Sequence, residues 1–128
     1  MSYGIVELRE LEDQAAAGGF GELLEARFAR QALGCERVGL SLQRIKPGVR
    51  GPVAHRHETD EEVYVVVAGS GNAVVEGEVV ELRQWTALRL PPGSARGFEA
   101  GPDGLELLAF GTHTEGDRGE MVDPGWPS

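Results

Sequence analysis

The sequence predicts an all-β domain, and three observations carry that reading. Turn signals recur at short, even spacing, from Pro47-Gly48 to Gly101-Pro102-Asp103-Gly104. The segments between them either alternate apolar and polar residues or run apolar, as strands do. No helix-length periodic segment interrupts them, which argues against alternating β and α units. Composition agrees, because 19 glycines and 7 prolines suit many short strands joined by tight turns.

The elements follow in order. Residues 5–9 (IVELR) alternate weakly and read as a short edge strand. Residues 10–17 favour helix until Gly18 and Gly19 stop it. Residues 22–33 (ELLEARFARQAL) fit two patterns. Leu24, Phe28 and Ala32 share a helical face, while Ala26, Phe28 and Arg30 alternate as in a strand. A short helix or turn leading into a strand is expected there. Residues 37–45 put Val38, Leu40 and Leu42 on one face, and Pro47-Gly48 ends the run. Residues 53–57 carry two histidines, and 62–68 form an apolar strand ended by the turn Gly69-Ser70-Gly71. Residues 72–75 and 78–82 read as a hairpin around Glu76-Gly77. Residues 86–90 make another strand, closed by Pro91-Pro92-Gly93. A last pair, 95–99 and 105–111, is expected around the turn 101–104. Trp85 and Phe98 read as core or interface residues. The tail is polar, and Trp126 is its one large apolar group, suited to pinning it to the barrel or to a neighbour.

A chain of 128 residues holds one domain, with a barrel core at about 36–112, an N-terminal arm 1–35 and a C-terminal tail 113–128. The net charge of -9 argues against nucleic acid and anionic membranes, because both need a basic face. The single cysteine, Cys35, permits no internal disulfide and reads as a small packing residue. MSYGIVELRELED carries charges throughout and lacks the apolar core of a signal peptide. No apolar run approaches a membrane span. The expected compartment is the cytoplasm.

The chemistry gathers in HRHETDEEVYVVVAGSG, residues 55–71. Side chains alternate along a strand, so His55 and His57 point the same way. With Glu62 they offer two imidazoles and a carboxylate, a ligand set for iron, zinc, manganese or nickel. The bland alternative is a relic site in which a histidine pairs with Glu62. No phosphate-cradling glycine loop precedes a helix, so no nucleotide cofactor is expected. No Ser or Cys lies in a nucleophile context.

Gly48, His55-Arg56-His57, Glu62 and Gly69 together resemble the first motif of the cupin superfamily, small barrels of the double-stranded β-helix (jelly-roll) type. Pro91, Pro92 and Gly93 resemble its second motif. The resemblance implies such a barrel behind a short N-terminal helical or irregular segment. It also implies a small-molecule ligand and a homodimer paired through outer sheets. Arg96 stands where the family has its fourth metal-binding histidine, Ala100 at the asparagine position and Trp85 at the opening glycine. Arg96 then either grips a substrate carboxylate or phosphate, pairs with Glu62 in place of a metal, or leans to solvent. Tyr64 shares the parity of Glu62, and Gln43 lies on the polar face of its strand; both are candidates to orient a ligand. His113 reads as an exposed loop residue. The activity so implied is a metal-dependent oxygenase or isomerase acting on a small anionic substrate. The alternative is a metal-free ligand-binding or sensing barrel.

Overall fold

Two long antiparallel strands, β4 (Glu62–Val75) and β7 (Arg96–Thr112), form the spine of one curled sheet. The computed structural model describes residues 2–52 and 54–128. Six shorter strands flank the spine among these residues: β1 (Leu24–Phe28), β2 (Val38–Ile45), β3 (His55–Arg56), β5 (Glu78–Leu82), β6 (Ala87–Leu90) and β8 (Glu120–Met121). One path runs β1-β2-β7-β3-β8, and β4 pairs β5 and β6 as well as β7. The all-β barrel is as expected. The hairpin at Glu76-Gly77 is also present, with both residues at positive φ, as its two-residue turn requires.

Several elements differ from expectation. Residues 5–9 form no strand; a 3-10 turn covers Leu8–Glu10 instead. The helix expected at 10–17 is the single turn α1 (Gln14–Ala17), capped by Asp13, which accepts from the Ala15 and Ala16 N–H groups. In 22–33 the strand comes first and the helix second, as α2 (Arg30–Leu33). Thus β1 joins the sheet from within the arm, pairing Leu24 with Ile45 and Phe28 with Ser41. The expected strand 53–57 begins at Val53, outside the described residues, and β3 is His55–Arg56.

The two glycine-rich turns are not turns. Gly69-Ser70-Gly71 lies inside β4, and 101–104 lies inside β7, where the register jumps from Gly71↔Ala100 to Gly69↔Leu105. The irregularities face each other, so both long strands bend together. A Cβ on Gly69 would sit 2.0 Å from the Gly104 carbonyl oxygen, and one on Gly71 would sit 2.1 Å from that of Glu99. Glycine is required there by close backbone approach rather than by chain reversal.

Alternation then sorts the faces. Tyr64, Val66, Leu105 and Leu107 point inward and are at most 2% exposed. They pack with Leu82, Leu90 and Phe98 in one apolar cluster. No described helix is long and apolar enough to cross a membrane. Trp85, expected in a core or interface, is 69% exposed at a positive φ. The tail is strapped down: the Arg50 guanidinium lies 4.2 Å from the Trp126 ring centroid. Pro124 packs over Gly97, and its carbonyl accepts from the Gly77 N–H.

Candidate metal centre and cleft

β3, the loop after it and the start of β4 bring His55, His57 and Glu62 together. Each histidine Nε2 lies 3.8 Å from the same Glu62 oxygen, Oε1. The rings stand edge to face with centroids 5.2 Å apart. The three donor atoms lie within 4.8 Å of one another. A zinc-sized ion with bonds of about 2.1 Å separates its ligands by roughly 3.0–3.4 Å, so modest side-chain rotation would close the set. The donor chemistry and spacing fit a divalent metal.

Arg96 is the unusual feature. It is fully buried at the base of β7, opposite His55 in the ladder. Its Nη1 donates to Glu62 Oε1 at 2.5 Å, and its Nε donates to the Ser94 carbonyl at 3.0 Å. Nη2 is buried without a hydrogen-bond partner among the described residues. Tyr64 is buried against Phe98 and donates its hydroxyl to the same Glu62 oxygen at 3.3 Å. Burial pushes the Tyr64 phenol above its ordinary value and the Glu62 charge adds to this, so it remains a neutral donor. Burial also pushes Glu62 upward, but His55, Arg96 and His57 outweigh it and hold the carboxyl below its usual range. Glu62 is therefore an anion ringed by donors.

Gln43 sits elsewhere. It pairs with Leu107, four residues along β7 from Gly111, the partner of Glu62. That is roughly 13 Å of strand. Its Nε2 donates to Ser41 Oγ at 3.2 Å.

Two of the three, His57 and Glu62, line a cleft of about 510 Å³, whose wall also includes Phe28, Ser41 and Thr112. Gln14, Arg30 and Gln31 of the N-terminal arm and His113 also line it. His113 is thus a cleft residue and not the exposed loop residue expected.

The sequence reading missed the residues that frame His57. Asp117 Oδ1 lies 3.3 Å from His57 Nδ1 and accepts from the Glu58 N–H, while Oδ2 accepts from the Thr59 and Asp60 N–H groups. Burial opposes its charge, but these amides and His57 prevail and hold the carboxyl at about 2. Asp60 is buried and accepts from Thr112 and Thr114. His57, Asp60 and Asp117 also lie close enough to hold an ion. Their carboxylates are already engaged by these donors, which marks the group as a loop clasp. The available signal was Gly116-Asp117-Arg118-Gly119, where both glycines adopt positive φ in a built turn.

Comparison with known proteins decides the family. Residues 41–110 match the family described as "Cupin domain". The chain belongs to the cupins. No curated protein matches it. Among solved structures it is similar to a cupin protein from Bacteroides fragilis, at 20% identity and a TM-score of 0.71, covering 91% of this chain and 88% of that one. It is similar to a sugar phosphate isomerase of the cupin superfamily from Silicibacter pomeroyi, at 20% identity and TM-score 0.68, covering 86% and 76%. It also resembles an oxalate decarboxylase variant from Bacillus subtilis, at 19% identity and TM-score 0.66, covering 78% of this chain and 28% of that one. These identities establish the cupin fold. The matched region ends before Asp117 and begins after Arg30, so the arm and tail that finish the cleft lie outside it.

Proposed function

We propose that this cupin is a metal-dependent enzyme of oxygenase or isomerase type acting on a small anionic substrate. The observation that carries the reading is the convergence of two imidazole Nε2 atoms on one carboxylate oxygen, each 3.8 Å from it, beside a cleft lined by His57 and Glu62 and large enough for a small molecule. A divalent ion held by His55, His57 and Glu62 would supply Lewis-acid or redox chemistry with positions left open for substrate. Arg96 and Tyr64 donate to the Glu62 carboxylate, and His55, Arg96 and His57 keep it ionised. Arg96 Nη2 is the donor we assign to a substrate anion that reaches the ion. Arg30 is the cation presented on the cleft wall itself. Gln43 would orient ligand only if it penetrates past Ser41.

The test is metal content of untagged protein beside His57→Ala. Stoichiometric metal in the wild type that disappears in the variant supports the reading. Protein that arrives empty and refuses iron, zinc, manganese and nickel overturns it. The tight Arg96–Glu62 pair favours a second reading in that event, a metal-free cupin that binds or senses a small ligand in the same cleft.

The reading also includes a homodimer. Leu40 and Val63 both pair with Phe110, and Val38 is on their face, so an apolar stripe lies on the outside of the sheet. Phe110 is 51% and Val38 43% exposed there. We place the protein in the cytoplasm, where the lone thiol of Cys35 stays reduced.

A further inference from the structure

The two histidines are not held alike. β3 is only two residues long, and His57 lies beyond it in an irregular loop. Three features of the tail nevertheless constrain it. Asp117 faces its Nδ1 at 3.3 Å. The Gly119 backbone lies against the rings: a Cβ there would meet His57 Cε1 at 3.2 Å and His55 Cδ2 at 3.7 Å. Strand β8 pairs with β3, setting Met121 opposite His55 and Glu120 opposite Arg56. The anchors at Pro124 and Trp126 fix the segment that follows.

A neutral imidazole carries one N–H, and the hydrogen bond made by one nitrogen decides which nitrogen is free to ligate. Asp117 can only accept at Nδ1. Asp117 lies nearer Nδ1, at 3.3 Å, than Glu62 does to Nε2, at 3.8 Å, so the geometry favours a proton on Nδ1 and leaves the Nε2 lone pair for an ion beside Glu62. His55 makes no such contact to a carboxylate other than Glu62 among the described residues. Carboxylate partners of this kind orient metal-bound histidines and raise their basicity.

We propose that Asp117, carried by the C-terminal tail outside the matched cupin region, is a positioning residue that locks the ligating tautomer and ring angle of His57. With Gly119 it makes the tail one wall of the metal centre. This rests on the metal reading above. The cupin barrel alone supplies the ligands, but this chain's tail makes one of them ready to bind.

The experiment uses the full chain. Long-range 15N–1H NMR of metal-free wild type, at a pH where imidazole is neutral, should show His57 protonated at Nδ1. Asp117→Asn should populate the Nε2–H tautomer. Cobalt(II) titration followed by its visible spectrum should show 10- to 100-fold weaker binding in Asp117→Asn than in wild type. A wild-type His57 protonated at Nε2 overturns the proposal, and this holds even if the variant fails to fold. So does Asp117→Asn with unchanged tautomer and cobalt affinity within twofold. If wild type binds no metal, the metal reading fails, while the wild-type tautomer still decides the role of Asp117.

Discussion

Replacing Arg96 with methionine should move stability and metal affinity in opposite directions. Arg96 is fully buried and its Nη1 is 2.5 Å from Glu62 Oε1. Removing one partner of a buried ion pair costs about 3–5 kcal/mol when the other is stranded. Glu62 keeps 19% side-chain exposure and still has Tyr64 and two imidazoles beside it. The expected loss for metal-free Arg96→Met is therefore nearer 2–3 kcal/mol, below the range for a fully stranded charge. Metal binding should respond the other way. An ion bonded to Oε1 at about 2.1 Å would lie within roughly 5 Å of the guanidinium. A dication and a monocation at that distance repel by about 7 kcal/mol at an effective dielectric of 20. The open cleft screens much of this, so a gain of ~10- to 100-fold, or about 1.4–2.8 kcal/mol, is expected. Urea unfolding in chelator reads the first quantity, and competitive zinc titration reads the second. Folded Arg96→Met with unchanged or weaker zinc binding would refute the electrostatic reasoning. Arg96 would then be serving to hold Glu62 in place for the ion.

Other perturbations follow from named contacts. The folded Asp117 carboxyl is held at about 2, below the ordinary 3.8. A lowered folded value gives stability that is full above the unfolded value and is lost as pH falls through the folded one. Wild-type melting temperature should thus drop between about pH 4 and pH 2, with Glu62 adding to the loss, and Asp117→Asn should flatten the curve. An equal slope in both proteins would contradict this. Gly69→Ala puts a methyl 2.0 Å from the Gly104 carbonyl oxygen at a φ of 76°. It should cost at least the ~2–5 kcal/mol of a large-to-small core change, measured by urea unfolding. A cost below about 1 kcal/mol would show that the crease is soft. If the proposed dimer forms through the outer stripe, Phe110→Glu should leave a monomer in analytical ultracentrifugation with the far-UV spectrum unchanged, and a dimer that persists would remove the stripe as its interface.

Strand identity was legible in residues 38–45 from their alternation, but which face is buried was not: Val38 and Leu40 lie on the outer face, while Ser41 on the polar face is buried. The His55, His57 and Glu62 trio was legible because its members are close in sequence and alternate. The creases at Gly69 and Gly104 were not. Glycine at positive φ serves a tight turn and a bulge equally, and only the partner strand tells them apart. The segment 24–28 was ambiguous because Phe28 satisfies both periods; pairing with β2 settled it. Asp117 was invisible for another reason. It meets His57 across 60 positions of chain, from a polar stretch whose composition resembles any solvated tail. His113 likewise reaches the cleft because its backbone N–H donates to the Arg37 carbonyl, a contact without a local signature.

The spine has a consequence for how the molecule is made. Before residue 96 emerges, β2 can pair only with β1, and β4 only with β5 and β6. Among the described residues nothing hydrogen-bonds these two hairpin systems to each other until β7 arrives and joins both. Assembly must wait for the last quarter of the chain, with two apolar sheet edges left open meanwhile. A fragment ending at residue 95 should therefore lack a cooperative melt, and a chaperone that shields strand edges would act on this nascent chain rather than on the finished barrel.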